Sequence, residues 1–365
     1  MLGELTIAGP VPGLVERVQA RLDGKTKPLG ALGRVEEIAL AIAAAQGVEN
    51  PVADPATCLL FAGDHGIVAE GVSAWPQEVT ARMVETFLSG GAAASVLARS
   101  VGAELRVLDA GVATPIAGAD RLARAEIRAG TRNAATEDAL TPGEVAQALR
   151  FGAEAALAAV RDGARVIALG EMGIGNTATA ALLASAVAGI ALDRLVGPGA
   201  GQTPEGLAHK RAVLARALAR RPGPLAPQDA LAAFGGLEIA AMAGALIGGA
   251  SAQAVVLVDG FIATAAALVA LTARPEARRA CLFAHRSAEL GHAALLEHLE
   301  AQPLLGLEMR LGEGTGALLA VPLLRAAAAV LADMASLDAV GISARAEAAA
   351  APHDSMATPS DGSDP

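Results

Sequence analysis

The chain has 365 residues, 53% of them hydrophobic and 18% charged, with a formal net charge of −10. That balance supports a large core and excludes global disorder. Aromatics make up 2% and tyrosine is absent, so both charge and stacking capacity argue against DNA or RNA as a partner, though not against a small nucleotide. The two cysteines, Cys58 and Cys281, lie far apart in apolar runs and read as small core residues in a reducing cytoplasm. The N-terminal "MLGELTIAGP" has no basic region before an apolar core, so no signal peptide is expected.

The first fifty residues read as helix, with a Pro-Leu-Gly turn in "KPLGALGRVEEIALAIA" before an amphipathic stretch. One pattern then recurs. A short apolar run stops abruptly at glycine and polar residues: Cys58–Ala62 before "GDHG", Leu105–Leu108 before "DAG", Val166–Leu169 before "GEMGIGNT", Val255–Val258 before "DG", Cys281–Ala284 before "HRS". Alanine-rich segments of helical spacing lie between them, notably Pro142–Asp162 and Thr177–Val187. Buried strands alternating with helices predict an α/β protein with a doubly wound, mostly parallel sheet and helices on both faces. Ligands in such sheets bind beyond the carboxyl ends of the strands, which makes Asp64, His65, Asp109, Glu171, Asp259 and His285 candidates for one cleft.

Ile239–Val258 carries no charge and is long enough to span a bilayer. "GGASAQ" interrupts it and "VVLVDG" ends it, so it reads as a buried helix followed by a buried strand, with no membrane partner. Ala326 to about Met334 reads as the last helix. Residues 343–365 lose apolar periodicity and read as a disordered tail.

"GEMGIGNTATAAL" (Gly170–Leu182) follows a strand and opens a helix. Its glycines allow backbone N–H groups to face an anion, with Asn176 or Thr177 as N-cap; the alternative is a plain tight turn. "VGPGAGQTPEGLAHKRAVL" offers Gly199, Gly201, Lys210 and Arg211 to a phosphate, or forms a linker with a solvated basic face. There is no G-x-x-x-x-G-K-[ST] motif, which excludes a P-loop enzyme. His285 and Ser287 sit at a strand end without a G-x-S-x-G elbow, so a serine-hydrolase triad is not expected. Trp75, the one tryptophan, is either a packing anchor or a plate for a flat substrate. Glu313 stands between Gly312 and Gly314 in "RLGEGTGALL". It is either a solvated loop charge or a partly desolvated base whose pKa burial would raise toward neutrality.

From Leu22 to Val340, the ordered set "KPLGALGRVEEIA", "AGDHGIVAEGVSAWPQEVT", "GEMGIGNTATAAL", "GGLEIAAMAGAL", "VLVDGF" and "RLGEGTGAL" resembles the nicotinate-nucleotide–dimethylbenzimidazole phosphoribosyltransferase family. The resemblance implies one catalytic unit over residues 1–342. Its α/β core would span about 50–300, with a smaller helical part built from the chain ends, about 1–49 and 301–342. It implies a cytoplasmic homodimer with no cofactor and no metal, acting on nicotinate mononucleotide and a benzimidazole-type base. On this resemblance Glu313 is the general base, and Glu171, a second catalytic residue, lines the nucleotide site with Gly173, Gly175, Asn176 and Thr177. Gly199, Gly201, Lys210 and Arg310 are phosphate contacts; Gly312, Gly314, Asp259 and Ser287 complete the substrate site. Trp75, Met83 and Met172 wall the base pocket. Trp75 and Met83 stand where family members carry a small polar residue and a glutamine, which leaves the preferred base open among dimethylbenzimidazole, benzimidazole, a purine and a phenol.

Two other readings compete. A phosphoribosyltransferase using a pyrophosphate donor would need magnesium, and "VVLVDGF" lacks that family's second acid. A non-catalytic nucleotide sensor on the same fold would have no need of Glu313.

Overall fold

The computed structural model describes residues 4–117, 122–197 and 203–342. Gly199 and Gly201 and the segment 343–365 lie outside the described residues. Six strands form one sheet: β1 (Ala56–Gly63), β2 (Glu104–Gly111), β3 (Ala123–Arg124), β4 (Val166–Met172), β5 (Val255–Val258) and β6 (Cys281–Phe283). Their order is β3-β2-β1-β4-β5-β6, and every pairing is parallel. The five apolar runs read from the sequence are five of these strands. β3 pairs only at Leu108–Ala123 and Asp109–Arg124, and two edge residues carry no periodic signal.

Alternation along the strands divides the core in two. Leu59, Phe61, Ile167, Leu169, Val256 and Val258 face one cluster. Cys58, Leu60, Val166, Ala168, Val255 and Leu257 face the other. The first face is covered by the helices Pro142–Arg161, Asn176–Ala188, Leu237–Ser251 and Phe261–Ala273. The second is covered by Leu14–Asp23, Arg34–Gln46, Ala93–Ser100 and Thr315–Asp333. The two chain ends therefore meet on one face of the sheet. Lys25 Nζ donates to the Met334 carbonyl at 2.6 Å, and Leu337 N to the Gly24 carbonyl at 2.8 Å.

Small residues take the place of aromatics by letting backbones approach. A Cβ on Gly152 would lie 1.7 Å from the Ala241 carbonyl oxygen, and one on Gly244 would lie 1.9 Å from that of Leu149. The helices Pro142–Arg161 and Leu237–Ser251 thus pack almost backbone to backbone. Ile239–Val258 resolves into the second of these helices and β5, all but its connecting turn buried. The last long helix, Thr315–Asp333, begins eleven residues before the expected Ala326, because Gly314 in the left-handed region starts it and Pro322 and Gly316 do not interrupt it. It is long and apolar enough to cross a membrane, and its Leu318, Val321, Leu324 and Leu331 are fully buried against the sheet.

Candidate active site

The strand order reverses between β1 and β4, so their connections leave in opposite directions and a crevice opens at the carboxyl ends. A cavity of about 560 Å3 lies there, within the range of small-molecule sites. It collects side chains from four connections. Glu171 and Met172 end β4, Asp259 follows β5, His285 and Ser287 follow β6, and Arg310–Glu313 precede the helix Thr315–Asp333. Gly173, Gly175, Asn176, Thr177 and Lys210 line one part, and Trp75, Val79 and Met83 another.

Glu313 is placed by an unusual backbone. Gly312, Glu313 and Gly314 have φ of +85°, +60° and +75°. A non-glycine residue in the left-handed region costs on the order of 1–2 kcal/mol, so the surroundings must hold it there. Asp259 does so from below. Its Oδ1 accepts the Ala317 N–H at 2.9 Å, and the main-chain N–H groups of Gly314 and Gly316 also reach its carboxylate. Gly314 packs on Gly170 of β4 and on Cys58 of β1, with no space for a side chain. The Glu313 carboxylate accepts the Ala94 N–H at 3.3 Å and is 5% exposed. Burial pushes its pKa up, against that hydrogen bond.

Three acids share this space. Burial, with the charges of Asp259, Glu238 and Glu313, pushes Glu171 up to about 8. Burial pushes Asp259 up to about 7 against its three main-chain N–H donors. Asn176 Nδ2 donates to Glu171 Oε2. Asn176 is therefore not the N-cap: Gly175, at φ +96°, occupies that position, and neither Asn176 nor Thr177 caps the helix Asn176–Ala188 with its side chain.

The cationic side chains Lys210 and Arg310 share the cavity with Glu289. Lys210 Nζ donates to Thr177 Oγ1 at 2.9 Å and is 5% exposed. Burial lowers its pKa to about 8, opposed by Glu289. Arg310 is exposed at the rim. Ser287 is fixed by His292, whose Nδ1 accepts the Ser287 N–H at 2.8 Å. That bond assigns the ring as neutral with its proton on Nε2, which donates to Thr264 Oγ1 at 3.0 Å. Burial and the neighbouring His285 lower the His292 pKa to about 3, in keeping with a neutral ring.

A phosphoribosyltransferase family model matches residues 7–342. The nicotinate-nucleotide–dimethylbenzimidazole phosphoribosyltransferase of Ralstonia nicotianae is 52% identical over 343 residues, covering 93% of this chain and 97% of its own. The chain belongs to this family. It is a pentosyltransferase by that membership. The enzyme of the same description from Cupriavidus taiwanensis is 50% identical, covering 89% of this chain and 94% of its own. The crystal structure of the Thermus thermophilus enzyme of that description superposes with a TM-score of 0.86 at 44% identity, covering 92% of this chain and 99% of the other.

Against this phosphoribosyltransferase frame, the structure gathers most of the expected residues into one cavity: Glu171, Met172, Gly173, Gly175, Asn176, Thr177, Lys210, Asp259, Ser287, Arg310, Gly312, Glu313, Trp75 and Met83. Gly314 does not line it and serves the turn beneath. Of the six strand-tip residues, Asp64, His65 and Asp109 do not line it either. Asp64 Oδ2 accepts the Ala113 N–H at 2.8 Å, His65 lies between Glu238 and Thr179, and Asp109 pairs with Arg124. Each turns into the packing below the strand ends, which sequence order alone does not reveal. Arg211 donates to the Val196 carbonyl and is not among the lining residues.

Glu289 and the wall Phe261–Ala263 line the cavity without having been read from the sequence. Glu289 stands at the N-terminus of the short helix Leu290–His298 without a side-chain capping bond and carries no motif, and apolar wall residues look like core. A second cavity, about 640 Å3, opens beside β2 between Phe87, Leu105 and Phe151. Its Arg106 is paired with Glu104 and Asp162, and it lies away from the reversal point.

Proposed function

We propose that this protein transfers phosphoribose from nicotinate mononucleotide to 5,6-dimethylbenzimidazole or a close relative, releasing nicotinate and α-ribazole 5′-phosphate. The observation that carries the reading is the placement of Glu313: a buried carboxyl in the left-handed turn, in one cavity with an apolar wall (Trp75, Met83, Met172) and a cationic end (Lys210, Arg310). The names of the relatives support the substrate pair.

The chemistry asks for one base. The C1′–N bond to the pyridinium breaks, and its electron pair neutralises the departing nicotinate ring, so no strong general acid is required. One benzimidazole nitrogen attacks C1′ from the opposite face, which inverts the centre. The other loses its proton to Glu313. A raised pKa suits a carboxylate to that task near neutrality. The neighbouring carboxyl of Glu171, mostly neutral near pH 7 with its pKa pushed up to about 8, would hold Asn176 and the Glu313 turn in register beside the ribose. Lys210, Thr177, Ser287 and Arg310 would hold the phosphate. We place the protein in the cytoplasm as a homodimer.

The test is one reaction without added metal, containing purified protein, nicotinate mononucleotide and dimethylbenzimidazole, read by chromatography and mass. Nicotinate and α-ribazole 5′-phosphate formed together support the reading. Product only from a pyrophosphate-activated ribose with magnesium would replace it, and nucleotide binding without product would leave a sensor.

A further inference from the structure

We propose that the buried dipeptide Asp64–His65, at the tip of β1, positions the Gly173–Thr177 loop that receives the nucleotide; the role rests on the transfer reading above. Neither side chain reaches the cavity, and both are 0% exposed. Yet the loop packs against the histidine at two of its glycines. A Cβ on Gly173 would lie 2.3 Å from the Gly63 carbonyl oxygen and 3.2 Å from His65 Nε2, and one on Gly175 would lie 2.7 Å from Val68 Cγ2 and 3.3 Å from His65 Cβ, so the loop backbone packs on the end of β1, on Val68 and on the histidine together. Between them, Ile174 N donates to Thr80 Oγ1 at 3.1 Å, and the Thr80 side chain faces the Asp64 carboxylate. Just beyond the loop, Thr179 in the first turn of its helix meets His65 Nδ1 at 2.9 Å.

The ring itself is anchored from the opposite side. His65 Nε2 lies 2.8 Å from Glu238 Oε1, with both side chains fully buried. Glu238 sits in the first turn of Leu237–Ser251, the helix packed against Pro142–Arg161. A Cβ on Gly236 would lie 2.5 Å from His65 Cε1, which leaves the ring no room to tilt that way. Burial alone would depress the histidine pKa; the Glu238 and Asp64 charges more than offset it, so the imidazolium form is favoured. Glu238 Oε2 has no hydrogen-bond partner. A fully buried ion pair with an unsatisfied oxygen is a poor way to stabilise a core, and apolar packing would serve as well or better. What it supplies is directional: one ring, fixed from the helix side, fixes the height and tilt of a loop that carries Asn176 and Thr177 into the cavity.

The experiment separates positioning from mere stability. In the full-length protein, Thr179→Val removes one partner of the ring and leaves the Glu238 pair in place. The double variant His65→Gln with Glu238→Gln removes both charges while keeping side chains able to hydrogen-bond each other. Calorimetry with nicotinate mononucleotide is expected to show about tenfold weaker binding in each, with dimethylbenzimidazole binding unchanged. Leu149→Ala, in the core helix Pro142–Arg161, is the stability control and is expected to lower Tm with nucleotide affinity intact. Wild-type nucleotide affinity in both test variants overturns the inference, as does a loss for nucleotide and base alike that merely follows Tm. A wild-type protein that binds no nicotinate mononucleotide overturns the transfer reading and this inference with it.

Discussion

The main-chain N–H of Glu313 faces the carboxylate of Glu171, so the strained turn and the end of β4 meet at two of the three acids of the site. Gly312 closes the join: a Cβ there would lie 2.2 Å from Glu171 Oε1. The turn cannot shift without moving Glu171, and a change in the charge of Glu171 is felt by the turn.

Glu313→Gln keeps the shape of the turn and removes the base. The transfer rate is expected to fall by about 10²–10⁴-fold with nucleotide binding retained. The wild-type rate should rise with pH as Glu313 loses its proton, at a value above the ordinary carboxylate range because burial raises its pKa. That acidic limb should vanish in the residual activity of the variant. A kcat profile against pH checks both, and an unchanged limb would assign the base elsewhere.

Gly312→Ala tests the join between the acids. The substitution places a Cβ at φ +85° and against Glu171, so both backbone strain and a clash oppose it. Transfer is expected to fall about 5–30-fold, the equivalent of the 1–2 kcal/mol left-handed cost alone. Gly306→Ala, with nothing within 4 Å and no positive φ, should behave as wild type. Steady-state rates of the two variants, measured beside Tm, decide the matter.

Stability should fall as pH rises from about 4 to about 8. Glu171 and Asp259 have folded pKa values of about 8 and about 7, above their unfolded values of 4.5 and 3.8. Between those limits the folded protein binds more protons than the unfolded chain, so raising pH favours unfolding. His292, with a folded pKa of about 3 against 6.5 unfolded, works the other way below about 6.5, where the two acids outweigh it, and Lys210 does so above about 8, where its lowered folded pKa makes the unfolded chain the better proton binder. Thermal melts from pH 5 to pH 8 should show a declining Tm, and Glu171→Gln should flatten the decline. A Tm rising through this range would contradict the burial of these acids.

The two ends of the cavity should separate kinetically. Lys210→Ala removes a charge-assisted donor and should raise KM for nicotinate mononucleotide by about 10–100-fold, with KM for the base little changed. Trp75→Ala, at an exposed wall position, should raise KM for the base by about 3–10-fold and leave the nucleotide alone. Equal effects on both substrates in either variant would refute the division.

Much of this molecule is determined locally and is therefore legible in its sequence. Strands buried on both faces must be continuous apolar runs, and they must stop where the chain meets a polar cleft, so β1, β2, β4, β5 and β6 and the glycine loops after them stand out. The two-residue β3 does not, because pairing with β2 rather than its own composition makes it a strand. Glu313 between two glycines and the Gly173–Thr177 loop are visible because unusual backbone geometry needs glycine at fixed places. Depth is what tertiary structure alone decides. Asp64, His65 and Asp109 occupy the same kind of strand tip as Glu171 and Asp259, yet they point into packing and the latter two into the cavity. The difference comes from what each tip meets: Glu238 and Thr179 for His65, Arg124 for Asp109, and the N-terminus of a distant helix, Thr315–Asp333, for Asp259. Such partners are set by the crossing of distant elements, and a one-dimensional pattern carries no record of which side chains that crossing brings together.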